Sequence, residues 1–338
     1  MILFVNDCNC RIWLPVFSLH NPHSAAFNSL YILEIICSLI VCGLVIKTIR
    51  AVYSSVVFHR NLNHILMWDI FIWFESLLFK FISLFYVSGF VPSGVAENHS
   101  QFWYSDDASL FPTIETLSNI QPLNIACILR WHYLYTITTL LFFLASERLC
   151  ASFFILDYEK KRRSYIFYSL FAFSNAFTLP MTYVTFFNLA SFCPLFSILV
   201  ASNSIALVMF LFNRIFNKKV IKKFNNCTTT YSLAMRFQAR ENLKAAKLIQ
   251  RIIIAGFVLL AFGFIIIAFI VFEWIPSLKS INVFFLEIVA HLNPLFLCPL
   301  VLLSMHKSDT APLGSIQAKM SSQNEVDIYF KQLKNAWE

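Results

Sequence analysis

The run IIIAGFVLLAFGFIIIAFIVF, residues 252–272, decides the fold class because it has no charged residue over its whole length. A helix that crosses the hydrocarbon core of a bilayer needs roughly 20 mostly apolar residues. The rest of the chain has the same character, since 58% of its 338 residues are hydrophobic and only 13% are charged. A soluble domain of this length does not bury so much apolar surface. The sequence therefore predicts a polytopic membrane protein and excludes a soluble enzyme, a disulfide-rich secreted scaffold and a disordered chain.

Six further apolar runs of similar length divide the chain. The seven predicted spans cover approximately residues 27–46, 65–89, 123–146, 165–184, 191–212, 252–272 and 281–303. The runs are continuous rather than alternating, which favours helices over a membrane β-barrel. We therefore predict an all-α fold, a seven-transmembrane helix bundle at residues 27–304. A segment at residues 1–26 precedes the bundle, and a polar tail at residues 305–338 follows it.

The basic residues set the predicted orientation of the bundle. All but four of the 26 Lys and Arg fall in the first, third and fifth loops and in the tail, which lie on one side of the membrane. Cytoplasmic loops carry such an excess, so the N-terminus is predicted to be extracellular and the C-terminus cytoplasmic. The net charge of +8 then reflects this asymmetry and not a nucleic-acid partner. The second loop carries the sequon Asn98-His99-Ser100, so we predict glycosylation at Asn98. A second sequon, at Asn226, falls on the predicted inner side and is expected to stay unmodified.

The nine cysteines form no metal-binding pattern. Cys127 and Cys193 start the third and fifth spans at their predicted outer ends. A disulfide between them is one interpretation, and a pair of small buried hydrophobic residues is the alternative. The sequence contains no zinc spacing, phosphate-binding loop or nucleophile motif. We therefore predict no metal, no cofactor and no enzymatic activity.

Four local sequences indicate a family. They are ASERL at residues 145–149, DYEKKRR at residues 157–163, YSLAMRFQARENL at residues 231–243 and HLNPL at residues 291–295. With seven spans, this set resembles the class epsilon family of nematode serpentine chemoreceptors over essentially the whole chain. The resemblance implies a chemosensory G-protein-coupled receptor that detects a small molecule and signals to a heterotrimeric G protein. It also implies a multi-pass protein in the plasma membrane of sensory neurons.

The resemblance further suggests residues of an activation switch. Arg148 is expected to be held by Glu147 in the inactive state and released toward the G protein on activation. Asn293 and Pro294 are expected to form a hinge in the seventh span, because proline breaks the backbone hydrogen-bond ladder of a helix. Leu297 stands where such receptors usually have a tyrosine, so a tyrosine-based switch is not expected. The alternatives are an interfacial ion pair that snorkels to the headgroups and a kink that serves packing alone.

Four ionisable residues are predicted to share one layer in the outer third of the bundle: Glu34, Lys80, Arg130 and Glu287. Charges inside a membrane are costly and normally face the bundle interior. One hypothesis places Arg130 in the ligand cavity, with Trp131, His132 and Tyr135 nearby, where it would suit an acidic ligand. The alternative, which we favour, is a structural salt bridge from Arg130 to Glu287 or Glu34.

The fifth loop is the candidate G-protein contact. Its basic residues recur with helical spacing on one face: Arg236, Arg240, Lys244 and Lys247. The same face would also suit anionic lipid headgroups. Two other functions remain open from the sequence. One is a seven-span transporter that uses the intramembrane charges, and the other is a ligand-gated odorant channel, which would have its N-terminus inside.

Overall fold

The structure is a computed structural model. It describes residues 1–16, 25–55, 59–88, 90–92, 111–154, 163–226, 246–247, 250–256, 258–259, 261–263, 265–266, 269 and 279–309. The elements are β1 Ile2–Val5, β2 Cys10–Trp13, α1 Ala25–Ser54, α2 Arg60–Phe71, α3 Trp73–Val87, β3 Thr113–Ile114, a 3-10 turn Leu117–Ile120, α4 Gln121–Phe153, α5 Ser164–Phe186, α6 Phe192–Asn226, α7 Gln250–Gly263, α8 Lys279–His291 and α9 Pro294–Asp309.

The helices confirm a bundle of seven spans. Five are long and apolar enough to cross a membrane: Tyr31–Ser54, Arg60–Val87, Gln121–Phe153, Cys193–Lys222 and Phe285–Met305. Helices α5 and α7 lie at the fourth and sixth predicted spans. Large apolar side chains along α1, such as Ile32 and Leu39, are exposed, as expected for a surface that contacts lipid. The central helix is α4, which packs against α3, α5 and α6.

Several helices extend past their predicted spans. Helix α1 continues to Ser54 and α6 to Asn226, whereas the predicted spans end at residues 46 and 212. Hydropathy marks where the apolar run ends, but a helix continues through Lys and Arg because both residues have high helix propensity. The seventh span likewise continues as α9 to Asp309, beyond the predicted start of the tail at residue 305.

Two spans are interrupted. In the second span, Ile72 separates α2 from α3, and its N–H still donates to the carbonyl of Trp68 at 2.9 Å. In the seventh span, Leu292 and Asn293 separate α8 from α9. Pro294 starts α9, and the first turn is closed by a bond from the Phe296 N–H to the Asn293 carbonyl at 3.0 Å. Proline has no N–H and is favoured at this first helical position, which explains where the interruption lies.

A small sheet that the sequence reasoning did not predict caps one end of the bundle, called here the sheet end. Strand β1 pairs antiparallel with β2 and parallel with β3, which comes from the loop before α4. Side chains of Leu3, Ile12 and Trp13 are buried in a core shared with the adjoining ends of α3, α4, α5 and α6. The segment predicted as a plain N-terminal extension is therefore a folded cap that packs on the helices.

Candidate ligand cavity and polar network

A cavity of about 260 Å³ lies among α4, α6, α7, α8 and the start of α9. Its wall includes Trp131 of α4, Leu199 of α6, Gly256 of α7 and Ala290 of α8. Trp13 of β2 also lines it, with its ring centroid 4.9 Å from that of Trp131. The N-terminal sheet is therefore part of the cavity wall.

The polar groups of this wall are largely bonded to the protein itself. Trp131 Nε1 donates to the Trp13 carbonyl at 2.8 Å. The hydroxyl of Tyr135 bonds Thr185 Oγ1 at 2.5 Å. Asn203 Nδ2 donates to the carbonyl of Thr138 at 3.0 Å, while its Oδ1 is buried and has no hydrogen-bond partner within the described part of the chain. The cavity is therefore mainly apolar, and its wall residue Asn203 carries a buried acceptor that is not committed to another described residue.

The predicted charged layer is present in the structure, but its ion pairs are formed by Lys80 and not by Arg130. Lys80 Nζ lies 2.8 Å from Glu34 Oε2 and 2.9 Å from Glu287 Oε2, so one lysine joins the first, second and seventh spans. The predicted salt bridge from Arg130 to Glu287 or Glu34 is not among the ion pairs of the described residues. Arg130 instead donates from Nη1 to Ser76 Oγ and lies over the ring of Tyr133.

These four charged residues, predicted as candidates for the ligand pocket, are not among the residues that line the cavity. On α4, the cavity wall contains residues 131, 134, 135, 137, 138, 140 and 141, but neither Arg130 nor Tyr133. On α8, the wall contains residues 286, 289 and 290, whereas Glu287 and His291 share another face. Trp131 and Tyr135 line the cavity, whereas His132 bonds Glu75 at 2.8 Å.

A buried chain of hydrogen bonds runs beside the charged layer and passes through His291. Ser38 Oγ donates to the Glu34 carbonyl at 2.7 Å, so its oxygen accepts from His291 Nε2 at 2.9 Å. Arg130 has no acceptor, so Ser76 Oγ accepts from it and directs its own proton to His291 Nδ1 at 3.0 Å. These directions place the histidine proton on Nε2 and leave the ring neutral.

Asn293 connects the cavity to this network. It lines the cavity, and its Nδ2 donates to the hydroxyl of Tyr133 at 2.6 Å. Tyr133 in turn lies beneath the Arg130 guanidinium, whose carbon is 5.6 Å from the ring centroid. A change in cavity occupancy therefore has a contact path to the break before Pro294.

The end of the bundle opposite the sheet holds the predicted switch pair. Glu147 and Arg148 are both buried, and the guanidinium donates to the carboxylate through Nε at 2.5 Å and Nη2 at 2.7 Å. Nearby, Asn217 Nδ2 donates to Ser152 Oγ at 2.8 Å and ties α6 to α4. Of the candidate G-protein contacts, Lys247 is exposed, and Arg236, Arg240 and Lys244 lie outside the described residues.

The cysteines differ from the predicted pairing. Cys127 is a buried free thiol in the core beneath the sheet, and Cys193 is an exposed free thiol near the start of α6. Because one side chain is enclosed in the core and the other faces outward, the two do not form a disulfide in this structure. The disulfide that does form joins Cys8 and Cys10 at the turn between β1 and β2. Asn98 lies outside the described residues.

The sequence did not identify most of the cavity wall, including Trp13, Asn203 and Gly256. Trp13 lies in a segment that was taken as an extension, and Asn203 and Gly256 are uncharged residues within apolar spans. A search based on intramembrane charge does not detect such positions. Helical spacing from Trp131 and Tyr135 would have identified the α4 part of the wall.

Five helices that are long and apolar enough to cross a membrane, with α5 and α7 at the remaining predicted spans, form a helical membrane bundle that contains a cavity and a buried acid–arginine pair. Comparison with known proteins then identifies the family. The family described as Sre G protein-coupled chemoreceptor matches residues 1–312, and the chain belongs to it. Serpentine receptor class epsilon-45 of Caenorhabditis elegans is 30% identical over 97% of both chains. Serpentine receptor class epsilon-37 of the same organism is 26% identical over 100% of this chain and 99% of its own. No solved structure matches the chain.

Proposed function

We propose that the protein is a chemosensory receptor that binds a small molecule in the cavity and signals to a heterotrimeric G protein at the opposite end of the bundle. The observation that carries this proposal is the interior cavity, which is bounded by spans three, five, six and seven. Its relatives are named receptors, and we infer that this chain likewise has no enzymatic activity.

The contacts of Asn293 support a route from ligand to switch. The residue borders the cavity and bonds Tyr133 of α4, and it lies in the break of the seventh span. A ligand that displaces Asn293 would alter both the break and the packing of α4 against α8. Packed interfaces of this kind tend to have discrete arrangements, so a small displacement shifts a population between two states.

The Glu147–Arg148 pair supports the signalling end of the proposal. Both residues are buried, so the guanidinium is held away from solvent in this state. For Arg148 to leave Glu147 and contact a G protein, a helix would have to shift. This requirement couples the Glu147–Arg148 pair to the rest of the bundle. Positive charge on the side of the Glu147–Arg148 pair is proposed to contact the G protein. It is carried by Arg236, Arg240, Lys244 and Lys247. Anionic lipid headgroups suit the same charges.

The proposed topology places the sheet end outside the cell and the switch pair in the cytoplasm, in the plasma membrane of sensory neurons. The excess of Lys and Arg in the loops near the switch pair supports this orientation. An epitope at residue 1 should be accessible on intact cells. If it is accessible only after permeabilisation, the orientation is reversed and the odorant-channel alternative is favoured.

Ligand-dependent nucleotide exchange tests the function. Cells that express the receptor with a G-protein reporter are screened with small molecules, and responding compounds are tested for exchange in isolated membranes. We expect an agonist to accelerate exchange in the wild type. Arg148→Ala should abolish the response without reducing surface display.

Two controls make this test decisive. Lys47→Met, at an exposed position of α1 outside the fifth loop, should respond as the wild type does. Vesicle flux of the same compounds should be absent, because flux without nucleotide exchange would show a transporter. A full response from the Arg148→Ala receptor would reject its role as the switch.

A further inference from the structure

We infer that the cavity selects a neutral, mainly apolar molecule of about ten non-hydrogen atoms that carries one hydrogen-bond donor. This inference rests on the proposed function, because it names the ligand class for the same cavity. It differs from the expectation of an acidic ligand, which placed Arg130 in the wall.

The charge distribution excludes ionic ligands. Among the described residues that line the cavity, none is charged. The nearby charges are already committed on another face of the helices, where Lys80 pairs with Glu34 and Glu287. An ion that entered the cavity would lose its hydration and gain no counter-charge, which is strongly unfavourable.

The hydrogen bonds of the cavity wall indicate which polar group a ligand should carry. The Trp131 N–H and both protons of Asn203 Nδ2 are directed at protein acceptors, so they offer little to a ligand. Asn203 Oδ1 is a buried acceptor that has no partner within the described part of the chain. A buried acceptor without a partner is costly, so a ligand hydroxyl or N–H that reaches it recovers that cost.

The cavity volume sets the size. An apolar cavity of about 150 Å³ in another protein stays dry and binds benzene, which has six non-hydrogen atoms. Scaling to about 260 Å³ gives room for about ten such atoms. Two tryptophan rings, Trp13 and Trp131, provide flat apolar wall for a compact molecule.

Gly256 offers a direct way to fill the space. It lines the cavity, and a Cβ added there meets nothing within 4 Å. Gly256→Leu therefore adds side-chain volume at the wall, starting from a Cβ that meets no clash. Gly43→Leu is the matched control, because a Cβ at Gly43 of α1 also meets nothing within 4 Å and the residue does not line the cavity.

The test measures binding and needs no G protein. Full-length receptor in phosphatidylcholine nanodiscs is dialysed against radiolabelled nonan-1-ol, 1-naphthol, octanoate or nonylammonium, with empty nanodiscs as the blank. The neutral alcohols should bind saturably to the wild type and to Gly43→Leu, and Gly256→Leu should weaken them at least about tenfold. Octanoate should bind roughly 300-fold more weakly at pH 7, because only its protonated form enters, and should recover near pH 5.

The acceptor is tested with 1-methoxynaphthalene, which lacks the donor of 1-naphthol. The wild type should prefer 1-naphthol by about threefold to tenfold, and Asn203→Leu should remove this preference. Saturable binding of octanoate or nonylammonium at pH 7 as tight as that of the alcohols would overturn the inference. So would the absence of saturable binding by both alcohols, or binding that Gly256→Leu leaves unchanged.

These outcomes separate the ligand class from the proposed function. If the alcohols bind as expected but no compound elicits nucleotide exchange, the signalling proposal fails and the ligand class stands. If a charged agonist elicits exchange and its potency is unchanged in Gly256→Leu, the receptor function stands and the ligand class fails.

Discussion

Removal of the Lys80 charge alone should destabilise the receptor more than removal of Lys80 together with both of its carboxylate partners. Lys80 Nζ is held between two carboxylates, and the side chains of Lys80, Glu34 and Glu287 are 11%, 1% and 23% exposed. Lys80→Met keeps the aliphatic stem but leaves two carboxylates close together without a counter-charge. Removing one member of a buried ion pair costs about 3–5 kcal/mol, so we expect the free energy of unfolding to fall by that amount.

The triple variant Lys80→Met, Glu34→Gln, Glu287→Gln tests why Lys80→Met is destabilised. It distinguishes the cost of two unpaired carboxylates from the cost of lost packing. It keeps the side-chain volumes and removes all three charges of the Lys80 ion pairs, so its free energy of unfolding should lie within about 1–2 kcal/mol of the wild type. Lys219→Met is the matched control, because this lysine is exposed on α6 and its loss should change stability by less than about 0.5 kcal/mol.

The assay is unfolding of purified receptor in mixed micelles by SDS titration, with surface display in cells as a second readout. The expected order of stability is wild type and Lys219→Met first, then the triple variant, then Lys80→Met. A Lys80→Met receptor that loses less than about 1 kcal/mol, or a triple variant no more stable than the single one, would refute the role of Lys80 as the centre of the layer.

Three further predictions concern separate parts of the molecule. Ser76→Ala removes the hydroxyl that donates to His291 Nδ1, so the free energy of unfolding in mixed micelles should fall by about 2–3 kcal/mol. An unchanged SDS titration would disprove the hydrogen-bond chain through His291. Asn98→Gln should abolish the glycosidase-sensitive shift in gel mobility, whereas Asn226→Gln should not alter it; the reverse pattern would invert the topology. Trp13→Ala opens a space in the cavity wall, so it should cost about 3–5 kcal/mol in the same titration and admit larger neutral ligands; wild-type stability would show that the sheet is not part of the core.

The seven spans were predictable because membrane thickness sets the length of a helix that crosses it. The seventh span also contained a signal of its interruption, Pro294. The N-terminal sheet was not predictable in the same way. Strand β1 is a run of four apolar residues, and its parallel partner β3 lies more than a hundred residues later in the chain. Pairing over that separation leaves no local periodicity to detect.

The sequence predicted how deep the charged residues lie in the membrane, but not the direction in which their side chains point. The fixed rise of a helix correctly placed Lys80, Glu34 and Glu287 in one layer, and they are in contact. Rise does not determine which way a helix face turns, and Arg130 turns toward Ser76 and not toward the cavity. The cavity itself is formed by uncharged residues from six elements, and Trp13 and Gly256 are among these residues. Its location depends on packing between distant parts of the chain.

The most direct test of the ligand site is a cryo-electron microscopy map of the receptor bound to an agonist found by the reporter screen. We predict agonist density against Trp13, Trp131 and Gly256, within hydrogen-bond distance of Asn203. Density against Lys80 and Glu287 instead, with the cavity empty, would contradict the assignment of the cavity as the ligand site.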